Sequence, residues 1–133
     1  MNKILRVLVV DDQKSTRRGL AALLEFAEDI EVVNEASNGW EALHIVADVP
    51  PDVVLMDVRM PIMDGLQATH QIKERWPQVK VIIVTMYPTH KADALDAGAD
   101  RFLLKGRMHT NLEDVIREVA YSDEPRTASR VET

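Results

Sequence analysis

The sequence predicts an α/β domain built on a doubly wound, five-stranded parallel sheet. Three observations carry this. Short apolar runs alternate with amphipathic helical stretches five times along the chain. The runs are nearly unbroken, as in strands buried on both faces. Pro77 and Gly98 stand where helices should stop.

The elements follow in order. Residues 4–10 (ILRVLVV) read as the first strand. Lys14–Ala27 reads as a helix with Leu20, Leu23, Leu24 and Ala27 on one face. Ile30–Ala36 (IEVVNEA) is a more polar second strand, which suits a sheet edge. Asn38–Ala47 is a short helix with Ala42, Leu43 and Val46 inward. Asp52–Met56 is the third strand. Asp64–Trp76 is the third helix, with Leu66, Thr69 and Ile72 inward, and Asp64 is read as its cap. Val79–Val84 is the fourth strand, Thr89–Ala97 a weak fourth helix and Arg101–Leu104 a short fifth strand. Asn111–Tyr121 is a fifth helix whose stripe is Leu112, Val115, Ile116 and Val119.

Bulk properties narrow the function. A chain of 133 residues, 46% apolar and 29% charged, makes one globular domain, residues 1–121, followed by a polar tail, residues 122–133. No cysteine is present, so disulfides, thiol nucleophiles and Cys metal sites are excluded. A net charge of -6 stands against nucleic-acid binding by the domain itself. The N-terminal apolar run carries Arg6 and meets Asp11 at once, so it reads as a strand and not a signal peptide. No stretch is long enough to span a bilayer, and no membrane partner is expected.

Right-handed crossovers favour the strand order 2-1-3-4-5 for five such units. In that order Asp11-Asp12 and Asp57 follow neighbouring strands, and Thr85 and Lys105 follow the next two. Ligands of open α/β sheets bind outside the carboxyl ends of the strands. Three carboxylates, a hydroxyl and an ammonium should gather there. Taken singly, each has a bland reading: the acidic residues as caps or turn formers, Thr85 as a backbone partner, Lys105 as a solvated cation, Phe102 as core. Arg17-Arg18 read as a solvated helix face. Taken together, they suit phosphoryl transfer to a carboxylate. Asp57 would attack phosphorus, and Mg²⁺ held by Asp12 and Asp57, with Asp11 acting through water, would offset the negative charge. Lys105 and Thr85 would bind phosphoryl oxygens.

The segments VLVVDDQ, DVVLMDVRMPIMDG, VIIVTM and GADRFLLKG, at these spacings, resemble the receiver domain of two-component response regulators, a flavodoxin-like fold, over residues 3 to about 121. The segments ASNGWEAL and DVRMPIMDGLQATHQI are similar to the branch with a C-terminal LuxR-type helix-turn-helix output domain. The resemblance implies a cytoplasmic signalling switch. It makes Asp57 the phosphoacceptor for a sensor histidine kinase. It makes Asp11, Asp12, Asp57 and the backbone carbonyl of Arg59 the Mg²⁺ ligands, and Thr85 and Phe102 the switch residues. The responding face would be the fourth helix, fifth strand and fifth helix, with a phosphorylation-dependent homodimer possible. The chain would be no enzyme beyond slow self-phosphorylation and self-dephosphorylation. DNA would be reached only through an output domain outside this chain, and the branch resemblance favours a piece of a longer regulator.

Three features depart from the family pattern. Met86 follows Thr85 where Ala or Gly is usual, and is expected to narrow access to Asp57. Gly106 replaces the frequent proline after Lys105. The family's cis peptide there costs about 2.5–4 kcal/mol without proline, so a trans or strained loop is expected. The stretch from Thr85 to Lys105 is short, which should trim the start of the fourth helix at Pro88.

Two other classes fit parts of the pattern. A flavodoxin-like cofactor binder would want a Ser/Thr/Gly-rich cradle after the first strand, where DDQKSTRRG stands. A Mg²⁺-dependent phosphatase with an aspartyl intermediate would want a second acid beside Asp57, and Asp57-Val58-Arg59 supplies none.

Overall fold

A computed structural model describes residues 3–106 and 111–122. Five strands and five helices alternate: β1 Leu5–Val10, α1 Lys14–Leu24, β2 Ile30–Ala36, α2 Gly39–Asp48, β3 Val53–Met56, α3 Gly65–Arg75, β4 Lys80–Thr85, α4 Lys91–Asp96, β5 Arg101–Leu104 and α5 Leu112–Ala120. The strands form one parallel sheet in the order β2-β1-β3-β4-β5. The polar strand β2 lies at an edge, as its composition predicted.

Alternation along each strand sends side chains to two cores. On one face Leu8, Val10, Val54, Met56, Val81 and Ile83 pack with residues of α2, α3 and α4, among them Val46, Ala68, Ile72 and Ala94. On the other, Val7, Val9, Leu55, Ile82 and Val84 pack with Leu20 and Leu24 of α1 and the full stripe of α5. Arg117 fastens this second layer. Its Nε and Nη2 donate to the two oxygens of Asp29 at 2.8 and 2.9 Å, tying α5 to the α1–β2 loop.

Local chemistry sets the helix ends. Asn38 caps α2 by accepting the Glu41 N–H. Asp64 caps α3 in a reciprocal box with Gln67. Asp52 lies one residue before β3, and its carboxylate accepts the Arg6 N–H and the Lys3 ammonium. Helix α1 ends at Leu24, three residues before the predicted Ala27. Its exit tightens there, with the Ala27 N–H bonded to the Leu24 carbonyl, and Ala27 still packs against the core.

The fourth helix differs most from its predicted span, Thr89–Ala97. Pro88 starts a 3₁₀ turn, Pro88–His90, and only Lys91–Asp96 is α-helical. Proline suits the first position of such a turn, where its missing N–H would find no partner in any case. Gly98 closes the helix at φ 101°, a conformation that favours glycine. The Lys105–Gly106 peptide is trans. The predicted tail beyond Ser122 lies outside the described residues.

Thr69 is fully buried on α3, and its hydroxyl has no hydrogen-bond partner among the described residues. An unpaired buried hydroxyl costs roughly 1–3 kcal/mol. Thr69→Val keeps the shape and removes the polar atom. It is expected to stabilise the domain by about 1 kcal/mol, seen as a melting temperature higher by about 3–5 °C. An unchanged or lower midpoint would contradict this.

Candidate functional site

Sheet register sets the ends of β1 and β3 level and carries β4 and β5 two residues further. Val10 pairs with Met56, Met56 with Ile83, and Thr85 with Leu104. The next residues on β1, β3 and β5 are Asp11, Asp57 and Lys105. Two backbone bonds extend the ladder by one step: Asp57 N–H donates to the Val10 carbonyl and Asp11 N–H to the Ala36 carbonyl, each at 3.0 Å. The side chains are therefore placed by the sheet and not by mobile loops.

One oxygen from each of Asp11, Asp12 and Asp57 lies within 4.8 Å of the others. Lys105 spans the cluster: its Nζ is 2.8 Å from Asp11 Oδ2 and 3.1 Å from Asp57 Oδ2. The side chains of Asp11, Asp57 and Lys105 are only 1%, 12% and 13% exposed. Asp11 Oδ1 accepts the Gln13 N–H and Asp57 Oδ1 the Val58 N–H, both within the chain turns that leave the strands. Asp12 is exposed, and its side chain makes no hydrogen bond or ion pair among the described residues.

Burial pushes the Asp57 carboxyl above its ordinary range. The charge of Asp11 adds to that, and Lys105 opposes it without cancelling it. Burial would lower the Lys105 ammonium, but its hydrogen bond to Asp11 and the charges of Asp57 and Asp11 outweigh burial and raise it. Lys105 thus stays charged between two carboxylates. Three carboxylates against one ammonium leave an excess of two negative charges when all are ionised. All-oxygen donors and that excess fit a hard divalent cation such as Mg²⁺.

The start of helix α3 packs closely on the end of β3. Gly65 donates its N–H to the Val58 carbonyl at 2.8 Å, and Gly39 donates to the Met63 carbonyl at 2.9 Å. Between them Ile62 is held at φ 73°, an unusual conformation for a β-branched residue. The Arg59 carbonyl accepts no backbone hydrogen bond among the described residues. The Arg59 guanidinium lies 4.8 Å from the centroid of the Tyr87 ring.

Thr85 is buried at the end of β4. Its hydroxyl meets His90 Nδ1 at 2.9 Å and accepts the Tyr87 N–H at 3.3 Å. Met86 beside it is 62% exposed. Phe102 is half-buried on β5 against the core of the α2–α3–α4 face. The structure therefore gathers Asp11, Asp12, Asp57 and Lys105 into one contact group, and turns the Thr85 hydroxyl toward the turn before α4.

Arg17 corrects a sequence expectation. It is no solvated face residue: Nη1 donates to the Asp11 carbonyl at 2.7 Å and Nε to Glu35 at 2.9 Å. Glu35 sits on the neighbouring edge strand, which gives the guanidinium a partner on each side. Arg18 stays exposed, with its Nε 3.5 Å from the same Glu35. The chemistry at the end of β1 also opposes a phosphate cradle. The Gln13 N–H that would serve an anion is already taken by the buried Asp11 carboxylate.

A five-stranded 2-1-3-4-5 sheet with an acidic group and a lysine at its carboxyl edge defines a class, and comparison with known proteins gives its family. Residues 7–117 match the response regulator receiver domain, and the chain belongs to that family. The transcriptional regulatory protein LiaR of Bacillus subtilis (strain 168) is 40% identical over 135 residues, covering 96% of this chain and 61% of LiaR. The chain thus spans only part of that relative's length. Among solved structures, the response regulator domain of Thermotoga maritima CheB superposes with TM-score 0.85 at 29% identity, covering 92% of this chain and all of that one. A DNA-binding response regulator of the LuxR family from Staphylococcus aureus superposes with TM-score 0.82 at 28% identity, covering 88% and 99%. No helix among the described residues is long and apolar enough to cross a membrane.

Proposed function

We propose that this domain is a phosphorylation-dependent switch in which Asp57 accepts a phosphoryl group from a phosphohistidine of a sensor histidine kinase. The observation that carries this reading is the carboxylate group of Asp11, Asp12 and Asp57 bridged by a largely buried Lys105. An Asp57 oxygen forms the new O–P bond as the N–P bond to the kinase histidine breaks, and the histidine keeps the electron pair. Asp11, Asp12, Asp57 and the Arg59 carbonyl would hold Mg²⁺, whose contribution is charge neutralisation of the incoming phosphoryl oxygens. Lys105 and the Thr85 hydroxyl bind those oxygens.

Signal output follows from a local change in charge biasing a two-state element. Thr85 and Phe102 lie on β4 and β5, beside α4, so the responding face is α4, β5 and α5. Helix α4 brings only six residues to this face, and a homodimer through it would form only on phosphorylation. The output is transcription, through a helix-turn-helix domain outside this chain that binds DNA in the cytoplasm. The segments after Ser37 and Asp57 and the likeness to LiaR and to a LuxR-family regulator support that step. The domain catalyses nothing on other molecules and only slowly gains or loses its own phosphoryl group.

Incubation with Mg²⁺ and acetyl phosphate, followed by intact-mass measurement, tests the reading. A phosphate-sized increment is expected in the wild type and its loss in Asp57→Ala. An increment that survives in Asp57→Ala would move the acceptor elsewhere.

Met86 guards the approach to Asp57 in this reading. Met86→Ala is expected to quicken labelling by acetyl phosphate about 2- to 10-fold, a change of up to about 1.4 kcal/mol in the barrier. An unchanged rate would show that the exposed side chain leaves the approach open.

A further inference from the structure

Thr85 is already engaged before any phosphoryl group arrives. His90 Nδ1 sits 2.9 Å from its hydroxyl, and His90 ends the 3₁₀ turn that leads directly into α4. The Tyr87 ring packs edge-on against His90, with centroids 5.4 Å apart and planes at 71°. Arg59 covers the Tyr87 ring at 4.8 Å. The loop after Asp57 and the turn after Thr85 therefore meet through one stack of side chains.

We propose that His90 is a positioning residue for Thr85: its Nδ1 holds the hydroxyl toward the turn that begins α4, and the move of that hydroxyl to a phosphoryl group on Asp57 releases the turn. This rests on the reading of Asp57 as the phosphoacceptor.

Proton accounting gives the latch its logic. A threonine hydroxyl has one proton and two lone pairs. The Tyr87 N–H uses one lone pair. With the imidazole proton on Nε2, Thr85 donates its only proton to Nδ1. A phosphoryl oxygen accepts and cannot donate, so it competes for that same proton. The charge-assisted bond to an anionic oxygen is the stronger of the two. His90 then loses its donor, and the turn loses its tie to β4.

The tie matters because it lies at the start of a short helix. Helix α4 has six residues, and His90 at its N-cap makes no capping bond from its side chain. A helix that short is marginal without outside support. Freed of Thr85, it is the segment best able to rearrange, and it begins the face assigned above to signalling.

The test uses the full chain with Mg²⁺ and beryllofluoride as the phosphoryl mimic, in wild type, His90→Leu and His90→Asn. Asparagine returns a polar atom near the position of Nδ1, and leucine does not. His90→Leu is expected to bind beryllofluoride about 2- to 10-fold more tightly, the range one neutral hydrogen bond spans when its loss favours the binding-competent state. His90→Asn should stay within about twofold of wild type. Amide exchange in residues 88–96 should be faster in His90→Leu before any beryllofluoride is added. The ¹⁵N resonance of His90 Nδ1 in the wild type should move on binding, as a hydrogen-bonded acceptor loses its donor. Equal affinity and equal exchange in His90→Leu, or an unmoved Nδ1 resonance, would overturn the latch alone. Wild type that takes no beryllofluoride would overturn the reading of Asp57 and the latch with it. If His90→Leu does not fold, the wild-type Nδ1 resonance still decides.

Discussion

Gly65→Ala is expected to destabilise the domain by about 3 kcal/mol or more, lowering its melting temperature by roughly 10 °C. A Cβ built at Gly65 collides with the Asp57 carbonyl oxygen and lies 2.8 Å from the Asp57 carbonyl carbon and 2.9 Å from Met56 Cγ. The first two are backbone atoms of a buried strand end, so no rotamer change relieves the clash. Relief requires α3 to lift from β3. That motion breaks the Gly65 N–H bond to the Val58 carbonyl and disturbs the Asp64–Gln67 capping box. Helix propensity works the other way, but alanine gains only about 1 kcal/mol over glycine. Gly19→Ala is the matched control. Nothing lies within 4 Å of a Cβ there, and Gly19 is inside α1. It should stabilise by about 0.5–1 kcal/mol. Thermal melts of the two variants separate close packing from helix propensity. A Gly65→Ala protein that melts with the wild type would refute the packing argument. Since Asp57 is displaced with the clash, the variant should also lose acetyl phosphate labelling.

The Asp64-Gly65 pair shows how far the sequence could be read. Asp64 announced the start of α3 because capping is a local matter of one side chain and the N–H groups three residues on. The need for glycine beside it is tertiary, set by where β3 ends, and no local pattern marks it. The same division runs through the molecule. Strands β3 and β4 were legible because burial on both faces leaves unbroken apolar runs, and α5 because one buried face leaves a stripe. The fourth helix was misread in type at its start, since Pro88 permits either a first helical turn or a 3₁₀ turn, and the shortened chain chose the latter. At the site, Asp11, Asp12, Asp57, Thr85 and Lys105 were marked by their places after strands. Arg17 was not, because two adjacent arginines look alike in sequence. Only the rotation of α1 turns Arg17 inward onto the Asp11 carbonyl and Glu35, while Arg18 stays exposed and reaches Glu35 from outside at 3.5 Å. His90 gave no signal at all. Its partner is five residues away, on the far side of a turn whose shape no periodicity reveals.

Lys105→Met is expected to weaken both the fold and the reaction. The lysine sits between two carboxylates, 2.8 Å from Asp11 and 3.1 Å from Asp57, with all three side chains largely buried. Methionine fills similar space and leaves the carboxylates facing each other without a cation. Removing one member of a buried charge group costs about 3–5 kcal/mol when the remaining charge stays uncompensated. Proton uptake limits that cost, and it sets the dependence on pH. Burial already raises the Asp57 carboxyl, and Lys105 opposes that more than any other group, with a smaller help from the Val58 N–H. Without Lys105 it must rise further. A carboxyl whose folded pKa exceeds its unfolded value supports folding when protonated. Its contribution is complete below the unfolded pKa and is lost as pH rises through the folded one. Lys105→Met should therefore melt closest to wild type in acid and fall away steadily toward neutral pH. Adding Asp57→Asn removes one of the two opposed charges, so the double variant should regain much of the lost stability at neutral pH, a coupling a double-mutant cycle reads directly. Mg²⁺ should raise the melting temperature of Lys105→Met more than that of the double variant, because the cation has a carboxylate fewer to bind in the latter. Labelling by acetyl phosphate should slow by about 10²-fold, the usual loss when one preorganised donor to a developing anion is removed. A variant that melts in parallel with wild type across this pH range, and labels at the same rate, would mean the ammonium neither balances the carboxylates nor meets the phosphoryl group.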